Sequence, residues 1–246
     1  MISKNEVKYI QSLGQKKRRD EERLFLVEGS KMVAELVNDY LGEIVRLYAT
    51  ETFYHNCSAA KSIQPHFVVT DDELERISQL QTPNHALALV RYAPQQEWIF
   101  SDTEWTLVLD AIRDPGNLGT IIRLADWFGI KQIVCSPDCA DIYNPKVVQA
   151  TMGSIMRVNI ITQELTSFLN NQQLPVVGAV LGGKELASFT FPKAGILVIG
   201  NESIGIREDV IPFLTDALMI PRFGEAESLN AAIATSIFLW ELKRAR

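Results

Sequence analysis

Three segments of the chain place polar side chains directly after a run of apolar residues. Asp110–Gly129 follows Leu107–Leu109, Gly200–Gly205 follows Ile196–Ile199, and Pro221–Asn230 follows Ala217–Ile220. Continuous apolar runs of this length are typical of parallel strands that are covered on both faces. Because ligands bind in open α/β sheets where the carboxyl ends of the strands meet, the three segments together predict one ligand site.

The first segment carries Asn117 and Arg123. The apolar stripe from Leu118 to Phe128 predicts a helix, and Arg123 lies off that stripe. Since helical side chains lean toward the N-terminus, the guanidinium should reach back toward the loop that carries Asn117. An arginine there can bind an anion, but the spacing equally allows a surface ion pair with Asp126 or Asp114.

The second segment has two glycines five residues apart, as in a phosphate-binding loop. However, Ile206-Arg207 stands where that loop needs Lys followed by Ser or Thr, and the glycine spacing differs from the dinucleotide fingerprint. The segment therefore indicates either a turn in which a ligand approaches the backbone closely or simple turn chemistry. Val180–Lys184, with two glycines just after another apolar run, leaves the same two alternatives.

The third segment follows a predicted short buried strand, Ala217–Ile220, and Ser228 is placed to cap the helix behind it. That helix, from Leu229 to Leu242, is apolar on nearly every side. Taken alone, it fits an ordinary capped C-terminal helix. Its apolar surface nevertheless predicts cover by its own sheet and by a second subunit.

Two α/β parts are predicted around these segments. The first has helices over Ser3–Leu13 and Ser30–Asp39, a short helix that opens at Asp71, and strands over Leu24–Val27, Ile44–Tyr48 and Ala86–Val90. Ala93–Glu97 is predicted to be a linker, and a compact α/β domain with a parallel sheet follows from about residue 104. The basic run Lys16–Arg19 is interpreted either as a solvated loop or as a set of phosphate contacts.

The composition excludes several classes of protein. Of 246 residues, 47% are hydrophobic and 22% charged, no apolar run is long enough to span a membrane, and the N-terminus is polar, which predicts a soluble globular protein without a signal peptide. Three cysteines and three scattered histidines indicate a reducing cytoplasm and no metal site. The net charge of −6 argues against indiscriminate nucleic-acid binding, although a local basic patch is compatible with it.

The three segments resemble the three ordered motifs of the SpoU/TrmH family of RNA ribose 2′-O-methyltransferases, of the SPOUT class. The matching stretches are Asn117–Arg123, Gly200–Gly205, and Ile220-Pro221 with Ser228–Asn230. Leu24–Val33 resembles the N-terminal extension of the family, a small ribosomal-protein-like α/β domain. The sequence departs from the family pattern at Pro83–His85 and Gln149, and these departures concern the RNA target more than the chemistry.

The resemblance implies an α/β protein with an RNA substrate-binding domain over residues 1–93 and a SPOUT catalytic domain over residues 104–246. The catalytic domain would contain a parallel sheet and a deep trefoil knot that binds S-adenosylmethionine. The family also implies a homodimer with both active sites at the interface. The expected reaction is methyl transfer to a ribose 2′-hydroxyl of rRNA or tRNA, with rRNA favoured.

The resemblance also implies roles for single residues. Arg123 would act on the ribose hydroxyl, in the family sometimes as a general base. Since a guanidinium stays protonated in proteins, stabilisation of the charge that develops on the oxygen is the preferred role. Asn117 and Glu202 would orient the arginine and the ribose, and Ser228 and Asn230 would fix the RNA phosphate or the catalytic loop. The cofactor would contact Leu181, Gly182, Gly200, Asn201, Ile220 and Leu229. RNA phosphates would contact Lys16, Lys17, Arg18, Arg19 and Arg23.

Two alternatives come from other functional classes. A dinucleotide-dependent enzyme would need a glycine fingerprint after the first strand of the sheet, which the sequence lacks. A non-catalytic RNA-binding protein that keeps the same fold would carry the same motifs, so the sequence leaves that alternative open.

Overall fold

The computed structural model describes residues 2–94 and 97–244, which form two compact units. The first unit contains the described residues up to Pro94 together with Asp141–Gly153, and the second contains the rest. The predicted domain limits at residues 93 and 104 place Asp141–Gly153 with the second part, and these limits stay a prediction. Gln95 and Gln96, at the centre of the predicted linker, lie outside the described residues.

Helices and strands alternate in the first part of the chain, as predicted. In order they are α1 (Lys4–Ser12), α2 (Lys16–Glu22), β1 (Leu24–Glu28), α3 (Ser30–Asp39), β2 (Ile44–Ala49), α4 (Glu51–Asn56), β3 (His66–Val68), α5 (Asp71–Ile77) and β4 (Ala86–Arg91). Side chains cap the predicted helix starts: Ser3 accepts the Glu6 N–H at α1, and Thr70 and Glu73 form a reciprocal capping box at α5.

The second part of the chain continues the alternation. Its elements are β5 (Trp105–Leu109), α6 (Pro115–Trp127), β6 (Gln132–Cys135), α7 (Pro145–Thr151), β7 (Asn159–Thr162), α8 (Leu165–Asn170), β8 (Val176–Glu185), β9 (Gly195–Ile199), β10 (Asp216–Met219) and α9 (Ala231–Arg244). Neither β3 nor β7 was predicted, because each is short and neither has a fully buried residue that would give it an apolar pattern. None of the described helices has the length and apolarity needed to cross a membrane.

The first unit is built on a four-stranded sheet in the order β1-β4-β2-β3. The central strand β4 pairs antiparallel with both β1 and β2, while β3 joins β2 in parallel. One face of this sheet packs on α1 and α5 through a cluster of buried apolar side chains that includes Ile10, Leu13, Leu26, Leu74, Ile77, Leu87 and Leu89. This core explains why the ninety-residue part forms a compact unit.

The basic run Lys16–Arg19 is helical, because it opens α2 instead of forming a loop. Arg19 is only 1% exposed, and its guanidinium donates to the carbonyls of Leu13 and Gly14 and pairs with Asp141 at 2.5 Å. The prediction that Arg19 contacts RNA is therefore wrong, since a buried guanidinium whose two terminal nitrogens are both engaged cannot reach a phosphate. One of the four basic residues in this run, Arg19, therefore stabilises the fold instead of binding RNA.

Asp141–Gly153 joins the first unit through its side chains. The Tyr143 ring stacks on Tyr92 with centroids 3.8 Å apart and lies 4.7 Å from Phe25, and Ala93 donates its N–H to the Tyr143 hydroxyl. Helix α7 packs on β1 with Val147 and Val148 buried. The Arg19–Asp141 ion pair fixes the N-terminal end of this segment.

The second unit is built on a six-stranded parallel sheet in the order β10-β8-β9-β5-β6-β7. The fully buried strands β5 and β9 lie at its centre, as their continuous apolar runs predict. One core cluster of this unit combines residues of β5, β6, β8 and β9 with α8, among them Val108, Val134, Phe168, Val176 and Val198. The predicted α/β class with a parallel sheet is thus confirmed.

Two local predictions near the edge of this sheet are wrong. Ala217–Ile220 was expected to be buried, but β10 is the edge strand and only Leu218 is fully buried. The glycines of Val180–Lys184 were expected after a strand, yet they lie inside β8, where the pairing with β10 jumps from Gly178 to Lys184. This irregularity leaves residues 179–183 out of the regular register.

Helix α9 begins at Ala231, and its cap is Asn230 instead of the predicted Ser228. The Asn230 Oδ1 accepts the N–H groups of Ala232 (3.0 Å) and Ile233 (3.2 Å). One side of α9 packs on α6, whereas Ile233 is 53% exposed and Trp240 is also exposed. Part of the apolar surface of this helix is thus left uncovered by its own chain, and its cover by a second subunit stays a prediction.

The buried Arg19–Asp141 pair should stabilise the first unit strongly. Asp141→Asn keeps the shape but leaves the buried guanidinium without a counter-charge, so the free energy of unfolding should fall by about 3 kcal/mol. Arg18→Gln is the matched control, because Arg18 pairs with Glu21 and Glu22 at the surface and should cost less than about 0.5 kcal/mol. Urea denaturation followed by fluorescence measures both, and equal stabilities for the two variants would contradict the structural role.

Candidate functional site

A chain of side-chain hydrogen bonds joins the three polar segments at the carboxyl edge of the parallel sheet. Asn230, before α9, donates from its Nδ2 to the Asn117 Oδ1 at 2.8 Å. Asn117, in the first turn of α6, donates in turn to the Glu202 carboxylate. Because these residues lie far apart in the sequence and follow β10, β5 and β9 respectively, the predicted meeting of three strand ends is found in the structure.

The direction of this hydrogen-bond chain is fixed by its two ends. The first-turn N–H groups of α9 are donors, so the Asn230 Oδ1 must face them and its Nδ2 must face Asn117. A carboxylate only accepts, so Asn117 must turn its Nδ2 toward Glu202 and its Oδ1 toward Asn230. Both amides are therefore held in a single orientation, and the Glu202 carboxylate is presented at the end of the chain.

The Gly200–Gly205 loop is a tight turn closed by its own backbone. Asn201 and Gly205 exchange both of their N–H···O hydrogen bonds, at 3.0 and 2.9 Å, and the Asn201 Oδ1 accepts the Ser203 N–H. A Cβ on Gly200 would stand 2.2 Å from the Gly205 carbonyl carbon, so only glycine permits this approach of the backbone. The loop places Glu202 at its tip.

A buried ion pair, which the sequence analysis missed, holds the far end of the same loop. Asp110 is fully buried at the end of β5 and accepts the Arg207 N–H at 2.8 Å. Its other oxygen lies 2.6 Å from the Arg207 Nε, a close charge contact without hydrogen-bond alignment. Burial raises the pKa of Asp110, and both Arg207 contacts oppose that shift. The sequence signal that could have revealed this ion pair is a charged residue directly after an apolar strand.

The segment after Asp110 is also fixed to the loop and to the neighbouring strand. Asn201 donates from Nδ2 to the Ala111 carbonyl at 2.9 Å, and Ala111, at the unusual φ of 57°, donates to Ser136 Oγ. Ile112 donates to the Cys139 Sγ at 3.3 Å. A hydrogen bond from Cys135 is the largest of the effects that lower the pKa of Cys139 to about 7.

Arg123 has no hydrogen-bond or ion-pair partner among the described residues, and it is exposed. The alternative of a surface ion pair is not realised, because Asp126 binds Ser154 and Arg157 while Asp114 caps the Asn117 N–H. No hydrogen bond joins Arg123 to the Asn230–Asn117–Glu202 chain within the described residues. The guanidinium is therefore free to bind an anionic ligand.

The remaining predicted site residues lie on exposed or half-buried backbone. Ser228 and Leu229 are exposed, Leu181 is 74% exposed, and Ile220 is half-buried. Gly182 adopts a φ of 80°, and no heavy atom lies within 4 Å of the position a Cβ would take. Across the described residues, no group of three or more acidic, histidine or cysteine side chains is arranged to hold a metal ion.

Comparisons with known proteins identify the class. The model of the SpoU rRNA Methylase family matches residues 104–240, and that of the MRM3-like substrate binding domain matches residues 4–88. The chain is 28% identical over 241 residues to the 23S rRNA (guanosine(2553)-2′-O)-methyltransferase RlmP of Bacillus subtilis, with 96% of this chain and 95% of that protein covered.

Two solved structures extend the likeness over the whole chain. A TrmH-family protein from Porphyromonas gingivalis shares 35% identity with a TM-score of 0.86, and the match covers 100% of both chains. The AdoMet-bound rRNA methyltransferase from Sinorhizobium meliloti shares 30% identity with a TM-score of 0.88, covering 99% of this chain and 97% of that one.

The chain belongs to the SpoU rRNA methylase family, so the resemblance seen in its motifs is confirmed. It is an RNA methyltransferase, and its cofactor is S-adenosylmethionine. The polar chain at the sheet edge is thus part of an enzyme, and the dinucleotide alternative is excluded.

The fixed direction of the hydrogen-bond chain gives a test at Asn230. Asn230→Asp keeps an oxygen cap on α9 but presents only acceptors to the Asn117 Oδ1, so one bond of the chain must break. A lost hydrogen bond is worth about 1 kcal/mol, so methyl transfer to rRNA should fall at least about fivefold while the melting temperature stays near wild type.

Asn230→Ala is the companion variant, because it removes both the cap and the link to Asn117. It should lower methyl transfer to a similar degree and additionally lose about 1 kcal/mol of stability. Unchanged methyl transfer in Asn230→Asp would show that the direction of the chain has no part in the reaction.

Proposed function

We propose that this protein transfers the methyl group of S-adenosylmethionine to a ribose 2′-hydroxyl of ribosomal RNA. The observation that carries the proposal is the Asn230–Asn117–Glu202 chain at the carboxyl edge of the sheet, in a protein of the SpoU family. The relative from Bacillus subtilis is a 23S rRNA guanosine 2′-O-methyltransferase, which supports rRNA as the substrate class.

The cofactor would lie against the backbone of β8 and of the Gly200–Gly205 loop. Gly182 and Gly205 support this, since each has a positive φ and open space where a side chain would stand. The same surface includes Leu181, Gly200 and Asn201, and the segment with Ile220 and Leu229 completes it. S-adenosylmethionine, once bound, supplies an electrophilic methyl group.

The protein's own residues would position the ribose and stabilise the charge on its oxygen. A hydroxyl is a weak nucleophile, so alignment with the methyl carbon and stabilisation of developing negative charge are the required contributions. Arg123 suits the second task, because its charge has no partner among the described residues and faces solvent. Glu202 and Asn117 would orient the ribose, and Ser228 and Asn230 would hold the adjoining RNA phosphate.

Basic residues of the first unit would bind RNA phosphates. Lys16 and Lys17 are exposed at the start of α2, and Arg23 lies at the surface with its guanidinium 4.8 Å from the Tyr92 ring centroid. Arg18 is a weaker candidate because Glu21 and Glu22 partly neutralise it. The match of residues 4–88 to a substrate-binding domain supports this assignment.

The charge of Arg123 can be tested directly by methyl transfer from labelled S-adenosylmethionine to an in vitro transcribed 23S rRNA. Arg123→Ala should lower turnover at least about a hundredfold, the cost of removing one preorganised charge stabiliser, while cofactor affinity stays within about twofold. Arg244→Ala is the control, because Arg244 is also exposed but pairs with Glu241.

The proposed reaction fails if the wild-type protein binds S-adenosylmethionine but transfers no methyl group to this rRNA. In that event the protein would be a non-catalytic RNA-binding member of the family. If Arg123→Ala kept near wild-type turnover, only the role given to Arg123 would be wrong. Mapping the methylated nucleotide in the wild-type product then identifies the target.

We further propose that the enzyme is a cytoplasmic homodimer whose catalytic part contains the deep trefoil knot of its class. The exposed face of α9, with Ile233 and Trp240, supports the dimer because apolar side chains on one helix face favour cover by a second copy. The knot is supported by the path of Pro221–Asn230, which leaves the edge strand β10 and ends at the helix after β5.

A charge placed on the exposed face of α9 should separate the subunits. Ile233→Glu should convert the dimer to a monomer in sedimentation velocity at micromolar concentration, because a buried unpaired carboxylate opposes association. Ile211→Glu is the matched control, since Ile211 has a similar exposure (45%) and lies in a short turn that packs on α8 instead of α6. A wild-type protein that sediments as a monomer would overturn the proposed dimer.

A further inference from the structure

The most exposed large apolar side chain of the described residues is Phe223, at 97%. It lies in Pro221–Asn230, where every residue from Arg222 onward is exposed. Its neighbour Arg222 has no hydrogen-bond or ion-pair partner among the described residues. An exposed aromatic ring and an arginine next to it in the sequence, the latter without a polar partner among the described residues, are both available to a ligand from outside the chain.

The topology places this segment beside the reaction site. It starts at the carboxyl end of β10 and ends at Asn230, which binds Asn117 after β5. In the sheet, β8 and β9 lie between β10 and β5, so the segment must cover three strand spacings, about 14 Å. It therefore runs along the edge at which Gly200 and Glu202 lie.

The segment has more length than this path requires. Ten residues can span up to about 33 Å when extended, so the excess allows Phe223 to stand away from the sheet. A ring there is accessible to a ligand at the edge, and the site proposed above serves a ribose of RNA. Proteins recognise unstacked RNA bases by stacking them on aromatic side chains and arginine planes.

The charges of the segment favour stacking over phosphate binding. Glu225 and Glu227 outnumber Arg222, so the net negative charge of the segment gives no long-range attraction for RNA phosphates. Stacking needs no net charge, because every base has a π-face. The ring of Phe223 is thus the group in this segment best suited to hold RNA.

We propose that Phe223 stacks on a nucleobase of the RNA substrate next to the target ribose, with Arg222 beside the adjoining base. This inference rests on the proposed function for its substrate, and it adds a base-positioning residue to the site. It predicts that an aromatic side chain is needed at position 223, and that an aliphatic one of similar apolarity is insufficient.

Filter binding of unmethylated, in vitro transcribed 23S rRNA tests the proposal with three variants. Phe223→Ala and Phe223→Leu should weaken binding about tenfold, within the measured range for loss of one stacked base, whereas Phe223→Trp should stay within about twofold of wild type. Because the residue is exposed, all three variants should fold, and sedimentation and S-adenosylmethionine affinity should match wild type.

A salt titration separates stacking from charge. The Phe223 variants should give log–log plots of affinity against salt that run parallel to that of wild type. The double variant Lys16→Gln/Lys17→Gln is the control, and its slope should be shallower by about 1.5 if both lysines meet phosphates.

Three results with the Phe223 variants would overturn the inference. Wild-type affinity in Phe223→Leu would show that apolarity suffices, loss of dimerisation in Phe223→Ala would assign the ring to the partner subunit, and loss of cofactor affinity would assign it to the adenine of the cofactor. A wild-type protein that does not bind the rRNA would overturn it together with the proposed substrate. A wild-type protein that binds in the predicted aromatic-dependent way but does not methylate would overturn the reaction alone.

Discussion

The arrangement of the site depends on a hydrogen-bond chain that can run in only one direction. The donors at the N-terminus of α9 and the acceptor oxygens of Glu202 fix both asparagine amides between them. An asparagine amide can otherwise turn over at little cost, because its two ends are similar in size. Here each amide has a donor on one side and an acceptor on the other, so the end of β10, the start of α6 and the Gly200–Gly205 loop keep one geometry.

Buried charge pairs provide the other fixed points, and both join segments that are distant in sequence. Asp110 holds Arg207 at the end of the loop that carries Glu202, and Arg19 holds Asp141 at the start of a segment that belongs to the first unit. A buried charge without its partner is costly, so each pair restricts the chain to arrangements that keep both partners together. This requirement gives positional specificity that apolar contacts alone, which are non-directional, do not supply.

Several groups that a ligand or a second subunit could use have no partner in their own chain. Arg123 lacks an ion pair among the described residues, the outer face of α9 is apolar, and Phe223 is exposed. By contrast, Asp126 and Asp114, which are close to Arg123 in the sequence, are both engaged with other partners. The contrast separates residues that maintain the fold from residues that remain available for binding.

Much of this protein could be predicted from the sequence because local hydrophobic patterns reflect local secondary structure. Continuous apolar runs identified five strands of the parallel sheet, and the motifs around Asn117, Glu202 and Asn230 indicated a common site at their ends. Only the tertiary structure decided how far β10 is buried, that Gly182 lies inside β8, and that Arg19 is buried. It also decided that Asn230, and not Ser228, caps α9. A basic run looks the same in sequence whether its charges face water or an aspartate 122 residues away, and only the folded chain brings that aspartate within 2.5 Å.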